Sequence, residues 1–298
     1  MYVGISVPFL CNSDLGIMEK VASRFLFSNF TYENILEGST EVPLINSWFL
    51  MSSIWPISSI VAFYLYFVLK LGPQWMENRK PIDLKYVLIL YNAIQVVYSI
   101  GLCWAVVKVV LELESRKSGM SWKYICAPLP RHHDDDVMYL VYSSGWYYFF
   151  AKVVELLDTV FFVLRKKNNQ ITALHVYHHS IMAFSTWGYL KYVQGEQGLF
   201  IGFMNSAVHV MMYFYYLVAA LGPQFQKYIW WKKYMTKIQL GQFIIMLIYL
   251  VGLLVFGCKQ NRILTYYMCF NVTAFLLLFL NFYRKAYIHN NQLKQKSS

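Results

Sequence analysis

Charge is what this chain has least of. Only 14% of its 298 residues are Asp, Glu, Lys or Arg, against 58% hydrophobic and 19% aromatic, a balance that excludes an ordinary soluble domain and fits a polytopic membrane protein. Strict alternation of apolar and polar residues is also missing, so the long apolar runs are not barrel strands. In hydrocarbon, where no water satisfies backbone groups, helices are the remaining way across. Lys and Arg are absent before Lys20, and residues 1–46 contain no long apolar core, which argues against a cleaved signal peptide or an additional span there. Acidic residues are few as well, 15 against 26 basic, for a net charge of +11.

What is present is a set of seven apolar runs long enough to cross a hydrocarbon core of roughly 30 Å. They lie near 48–71, 86–108, 137–164, 172–190, 198–221, 234–257 and 263–283. Seven crossings put the termini on opposite sides. With the N-terminus lumenal, the cytosolic segments carry 15 basic and 2 acidic residues and the lumenal segments 9 basic and 11 acidic, so positive charge predicts a cytosolic C-terminus. The tail Lys294-Gln295-Lys296-Ser297-Ser298 has the form of a dilysine address that returns membrane proteins to the endoplasmic reticulum. Asn29-Phe30-Thr31 is a glycosylation sequon usable only in the lumen; Asn271-Val272-Thr273 matches as well but falls inside a span. Ile17, Val21, Phe25 and Phe27 have the spacing of a short amphipathic helix on the lumenal face. Pro56 predicts a kink in span 1, and Leu71-Gly72-Pro73 through Lys80-Pro81 predicts a turn.

Polar residues inside the spans are the informative minority. His175, His178 and His179 form H-x-x-H-H at the start of span 4, and at 3.6 residues per turn they share one helix face. Lipid does not tolerate three imidazoles together, so the cluster marks a protein interior or cavity. Span 3 carries Lys152, Glu155, Asp158 and Thr159 on one broad face, where the cation offsets the carboxylates. Span 5 carries Asn205, His209, Met212 and Tyr216 on one stripe, with Tyr213 and Tyr215 beside it, and span 6 opens with Thr236, Gln239 and Gln242. Asn92, Gln95 and Ser99 make a polar stripe in span 2, which equally suits helix-to-helix bonding. The loop 111–136 ends in His132-His133-Asp134-Asp135-Asp136, a run that in solvated loops usually binds nothing. At about 1.5 Å per residue, Asp158 and His178 both sit roughly 10 Å below the cytosolic edge, with Gln239 and Gln242 at similar depth and His209 deeper. The stripes therefore converge on a chamber in the cytosolic half of the bundle.

Those motifs, K-x-x-E-x-x-D-T, H-x-x-H-H, N-x-x-x-H-x-x-M-Y-x-Y-Y and T-x-x-Q-x-x-Q in that order, together with the stretch from Leu71 to Ser99, resemble the very-long-chain fatty acid elongases, the ELO family, from about Trp48 to the C-terminus. The resemblance implies an all-α polytopic membrane protein of seven transmembrane helices, six of them enclosing a substrate tunnel. Residues 1–46 are then a lumenal segment, 47–284 the condensing domain and 285–298 a cytosolic tail. It also implies an acyltransferase of the endoplasmic reticulum, a 3-oxoacyl-CoA synthase joining acyl-CoA to malonyl-CoA with release of CoA and carbon dioxide. Neither a cofactor, a metal nor a nucleic acid is expected; the reductases and dehydratase of the elongation cycle, membrane lipid and a second copy in a homodimer are the expected partners.

By the same resemblance His178 is the nucleophile. Cys11, Cys103, Cys126, Cys258 and Cys269 all lie outside the motifs or towards the lumen, which leaves imidazole to attack the thioester. His175, His179 and Asp158 are expected to hold its tautomer, and Asn205, Gln239 or Tyr216 to stabilise an enolate formed near His209. Lys152, Glu155, Gln242 and Tyr213 are assigned to substrate binding, and Lys166, Lys167, Lys232 and Lys233 to the phosphates of CoA. Cys126 and Cys258 both fall in lumenal loops, an oxidising setting in which a disulfide is expected. Two other functions use similar features. A membrane di-iron desaturase or hydroxylase also has histidine boxes, but needs roughly twice the four imidazoles found in these spans; a seven-span receptor or transporter has the helix count without the clustered histidines.

Overall fold

The computed structural model describes residues 42–115, 126, 135–193, 197–228, 230–258 and 262–284, all within one compact unit, Glu41–Ser298. The expected lumenal helix, Asn29, the run 131–134 and the dilysine-like tail lie outside the described residues. Among the described residues every regular element is helical. The elements are α1 (Pro43–Asn46), α2 (Ile54–Tyr66), α3 (Gly72–Met76), α4 (Lys85–Ser115), α5 (Asp135–Val154), α6 (Leu156–Leu164), α7 (Ala173–Gly188), α8 (Gln197–Leu221), α9 (Lys232–Val255) and α10 (Arg262–Tyr283).

Five of the seven expected spans are helices that are long and apolar enough to cross a membrane: Ile54–Met76, Lys85–Glu112, Gly198–Leu221, Tyr234–Val255 and Arg262–Tyr283. The runs at 137–164 and 172–190 are helical but do not join that class. The first divides at Glu155 into α5 and α6 and carries Lys152, Glu155 and Asp158; the second has only 16 residues in α7 and begins with the three histidines. They lie against the more apolar rods: α4 packs along α8 and α5, α7 against α5 and α2, and α9 against α8 and α10.

Two local expectations are corrected. Pro56 sits in the first turn of α2, where no intrahelical partner awaits its missing N–H, so it does not have to kink the helix. The irregularity comes later, as a π-helical turn at Phe67–Leu71, and the chain continues through Gly72-Pro73 into α3 instead of turning away. Gly72 is required there. A Cβ at this position would stand 2.7 Å from Val163 Cγ1 and 2.8 Å from the Phe67 carbonyl oxygen, so only a bare glycine lets α3 lie this close to α6.

At the opposite end of the bundle the stretch 46–51 is held by side chains from α5, α7 and the turn after α7. Trp146 Nε1 donates to the Phe49 carbonyl (3.1 Å), Trp187 Nε1 to that of Leu50 (3.0 Å) and Lys191 Nζ to that of Met51 (3.0 Å) and to Asn46 Oδ1. These bonds hold Leu50 at φ 67°, a left-handed conformation that a leucine adopts only at a cost.

Candidate active site

The site begins with a charge that must be neutralised. Lys152, at the end of α5, is 2% exposed, and its ammonium meets Glu155 at 2.8 and 3.1 Å, the two being three residues apart on one face. The same ammonium donates to Asn205 Oδ1 on α8 at 2.7 Å and lies 4.8 Å from the centroid of the Tyr148 ring. Tyr148 donates its hydroxyl to the same Asn205 oxygen at 2.9 Å. Glu155 reaches His209, one turn further along α8, with Oε1 3.1 Å from Nδ1; this is ion-pair distance without the alignment of a hydrogen bond. Burying an ammonium and a carboxylate is tolerable only when both are paired and hydrogen-bonded, and this arrangement achieves that across two helices.

The three histidines stand on α7, whose start is fixed by Thr172. Its Oγ1 accepts the His175 backbone N–H at 3.2 Å, capping the first turn and setting the phase of the helix. As the spacing predicts, the rings are neighbours: His175 and His179 centroids lie 4.3 Å apart, and His178 and His179 5.3 Å apart. Phe162 closes over His175 at 5.4 Å, and Phe275 of α10 meets His178 edge-on at 4.8 Å. His175 Nε2 is buried without a hydrogen-bond partner.

His178, Asn205 and Gln242 share a cavity of ≈ 170 Å³ whose walls come from α4, α5, α7, α8, α9 and α10. Away from these polar residues its lining is mostly apolar, with Val106, Leu199, Leu264 and Leu190 among the furthest along their helices from His178. An imidazole and two amides therefore share one mostly apolar cavity, the usual make-up of a ligand pocket.

The other expected site residues are placed as follows. Asp158 accepts a hydrogen bond from Tyr213 at 2.7 Å, so among the described residues the carboxylate in contact with an imidazole is Glu155. Tyr216 is 40% exposed, packed on Tyr213 and Tyr215. Gln239 donates to Met212 Sδ at 3.8 Å and Gln242 to Met246 Sδ at 3.7 Å. Lys166, at φ 54°, donates to the Glu77 carbonyl at 2.9 Å, and Lys167 is exposed. The side chains of Lys232 and Lys233 lie outside the described residues. Cys126 and Cys258 are joined, with Sγ–Sγ 1.98 Å and Cα–Cα 4.4 Å, against the cluster formed by Phe243, Met246 and Phe275. No group of three or more His, Cys, Asp or Glu converges as metal ligands among the described residues.

Two residues at the site were not singled out by the sequence reading. Tyr148 lies one turn before Lys152 on the same face, a spacing that could have revealed it. Tyr91 accepts from Gln95 Nε2 at 3.0 Å and packs edge-on against Tyr213 at 6.1 Å; its position four residues before Gln95 carries the same signal.

A model of the GNS1/SUR4 family (ELO) matches residues 49–295. The chain is 40% identical to very long chain fatty acid elongase 7 of Rattus norvegicus over 88% of its own length and 90% of that protein's. It is 39% identical to very long chain fatty acid elongase 7 of Drosophila melanogaster, covering 90% of this chain and 78% of that one, and 40% identical to very long chain fatty acid elongase 4 of Mus musculus, covering 83% and 74%. With the family matched across nearly all the described residues and two-fifths identity over most of several relatives, the chain belongs to the ELO family.

Proposed function

We propose that this protein carries out the condensation step of very-long-chain fatty acid elongation, with His178 as the residue that carries the acyl group. Membership of the ELO family and the names of its relatives support the reaction. The observation that carries the residue assignment is that His178 lines the same mostly apolar cavity as Asn205 and Gln242. This cavity is read as the acyl slot, a tunnel bounded by six of seven crossing helices.

In this mechanism a His178 nitrogen attacks the acyl thioester, the carbon–sulfur bond breaks, and CoA leaves as the thiol after taking up a proton. Malonyl-CoA then loses carbon dioxide, and its electron pair passes to an enolate. The enolate carbon attacks the acyl-imidazole, forming the new carbon–carbon bond and releasing 3-oxoacyl-CoA with His178 restored. Asn205 and the Lys152 ammonium, 2.7 Å apart, supply positive potential beside the developing enolate oxygen. Glu155, 3.1 Å from His209 Nδ1, orients that ring as it handles the proton. His175 and His179, packed against each other, set the direction of His178.

The distribution of Lys and Arg supports a mouth on the cytosolic side of the endoplasmic reticulum membrane, an N-terminal segment in the lumen with Asn29 glycosylated, and a cytosolic tail read by the retrieval machinery. The exposed Lys167 and its neighbours then face the CoA phosphates. Reductases and a dehydratase consume the 3-oxoacyl product, and two copies associate in the membrane. Purified protein incubated with acyl-CoA alone should gain the mass of one acyl group; adding malonyl-CoA should discharge it as the two-carbon-longer 3-oxoacyl-CoA. His178→Ala should show neither event, and full condensation by that variant would remove the nucleophile assignment.

A further inference from the structure

At the end of the slot remote from His178, α7 passes into a π-helical turn, Tyr189–Val193. Tyr189 and Leu190 stand on the cavity wall there, one turn beyond Ser185 and Thr186. Each rests on a glycine that also lines the cavity. Tyr189 reaches across to the start of α8, where its hydroxyl accepts the Gly198 backbone N–H at 2.9 Å. That N–H is one of the four at a helix start with no intrahelical partner, so the tyrosine caps α8 while it lines the slot. A Cβ on Gly198 would stand 2.7 Å from Tyr189 Cε1 and 2.9 Å from its hydroxyl oxygen; one on Gly145 of α5 would stand 3.1 Å from Leu190 Cδ1. Neither side chain could take its present position beside any residue larger than glycine without something shifting.

We infer that Tyr189 and Leu190, seated on Gly198 and Gly145, form the floor of the acyl slot and so determine the longest acyl chain that the enzyme extends. From His178 to Leu190 the helix advances about 18 Å at 1.5 Å per residue, a reach suited to the tail of a long-chain acyl group. The wall behind the floor is firm, since Leu190 packs into the buried cluster that contains Met51, Val141 and Trp187. A chain that is too long meets a ring bonded to the backbone of another helix, not a side chain free to swing aside. The inference rests on the reading of the slot as the acyl site.

The test uses the full-length protein in lipid nanodiscs with malonyl-CoA and saturated acyl-CoAs of increasing length. Tyr189→Ala should move the preferred acceptor to a chain at least one elongation cycle longer. The ratio of rates on the longer over the shorter acceptor should rise about tenfold or more, the scale on which an apolar pocket discriminates a single methylene. Leu190→Phe should move the preference the opposite way. Thermal stabilisation of each variant by the same acyl-CoAs provides a second ladder that does not depend on turnover. Folded variants with the wild-type length optimum in both ladders would overturn the floor. If Tyr189→Ala does not fold, Leu190→Phe decides alone, a shift to shorter chains supporting the floor and an unchanged optimum overturning it. Wild-type protein that extends no acyl-CoA would overturn the functional reading instead, and the stabilisation ladder would still report on the floor.

Discussion

Glu155 and His209 stand 3.1 Å apart, carboxylate oxygen to imidazole nitrogen, across the contact between the α5–α6 segment and α8. The same carboxylate neutralises Lys152, so it has two partners that lose compensation together if it is removed. Glu155→Ala should lower stability by about 3–5 kcal/mol, the cost of leaving a buried charge unpaired. Replacing both members of the ion pair, as Lys152→Met with Glu155→Leu, should recover most of that loss. Thermal unfolding in detergent compares the three proteins; a double variant no better than the single one would show that the pair contributes more than mutual neutralisation.

Tyr213 and Tyr216 provide a contrast on one helix. Tyr213 is fully buried and donates to Asp158 at 2.7 Å, whereas Tyr216 is 40% exposed. Tyr213→Phe should cost about 1–3 kcal/mol, because it leaves a carboxylate oxygen without its donor. Tyr216→Phe should stay within about 0.5 kcal/mol of the parent. Equal losses in denaturation would mean that the stripe acts as a unit.

Gly72→Ala should destabilise the protein by about 1–3 kcal/mol through overpacking, since its Cβ would fall 2.7 Å from Val163 Cγ1. Adding Val163→Ala should restore part of the loss but not all of it, because the Phe67 carbonyl oxygen, at 2.8 Å from the same Cβ, remains. Comparing the melting temperatures of the single and double variants decides the matter.

Cys258→Ser should lower stability by about 2–4 kcal/mol, as expected for a cross-link closing a long loop. The cysteines it joins are 132 residues apart. A reducing agent should bring the melting temperature of the parent down to that of the variant and leave the variant unchanged. A parent indifferent to reduction would separate the bond from the stability of the fold.

The polar residues were the legible part of the chain. A Lys, a Glu or a cluster of His within apolar helices has few tolerable positions, so the adjacency of His175 and His179 and the pairing of Lys152 with Glu155 follow from spacing alone. Partners reached across helices were not legible. That Asp158 meets Tyr213, and that Asn205 meets both Tyr148 and Lys152, depends on how α5, α6 and α8 rotate about their axes, which no periodicity reports. The break at Glu155 escaped for the same reason. It shows as the Asp158 N–H donating three residues back to the Glu155 carbonyl at 3.2 Å, and it has no Pro or Gly as a marker. Pro56 misled in the other direction, because the cost of a proline depends on where the helix begins and the apolar run started before the helix did.

Asn205 has both lone-pair directions of its oxygen occupied, one by the Tyr148 hydroxyl and one by the Lys152 ammonium. What the amide has left to offer is its NH2. On a wall shared with His178, that leaves the residue a donor and no longer an acceptor. An aspartate at this position would be nearly the same shape, yet it would keep both acceptor directions and lose the one donor group that the asparagine still has free to give.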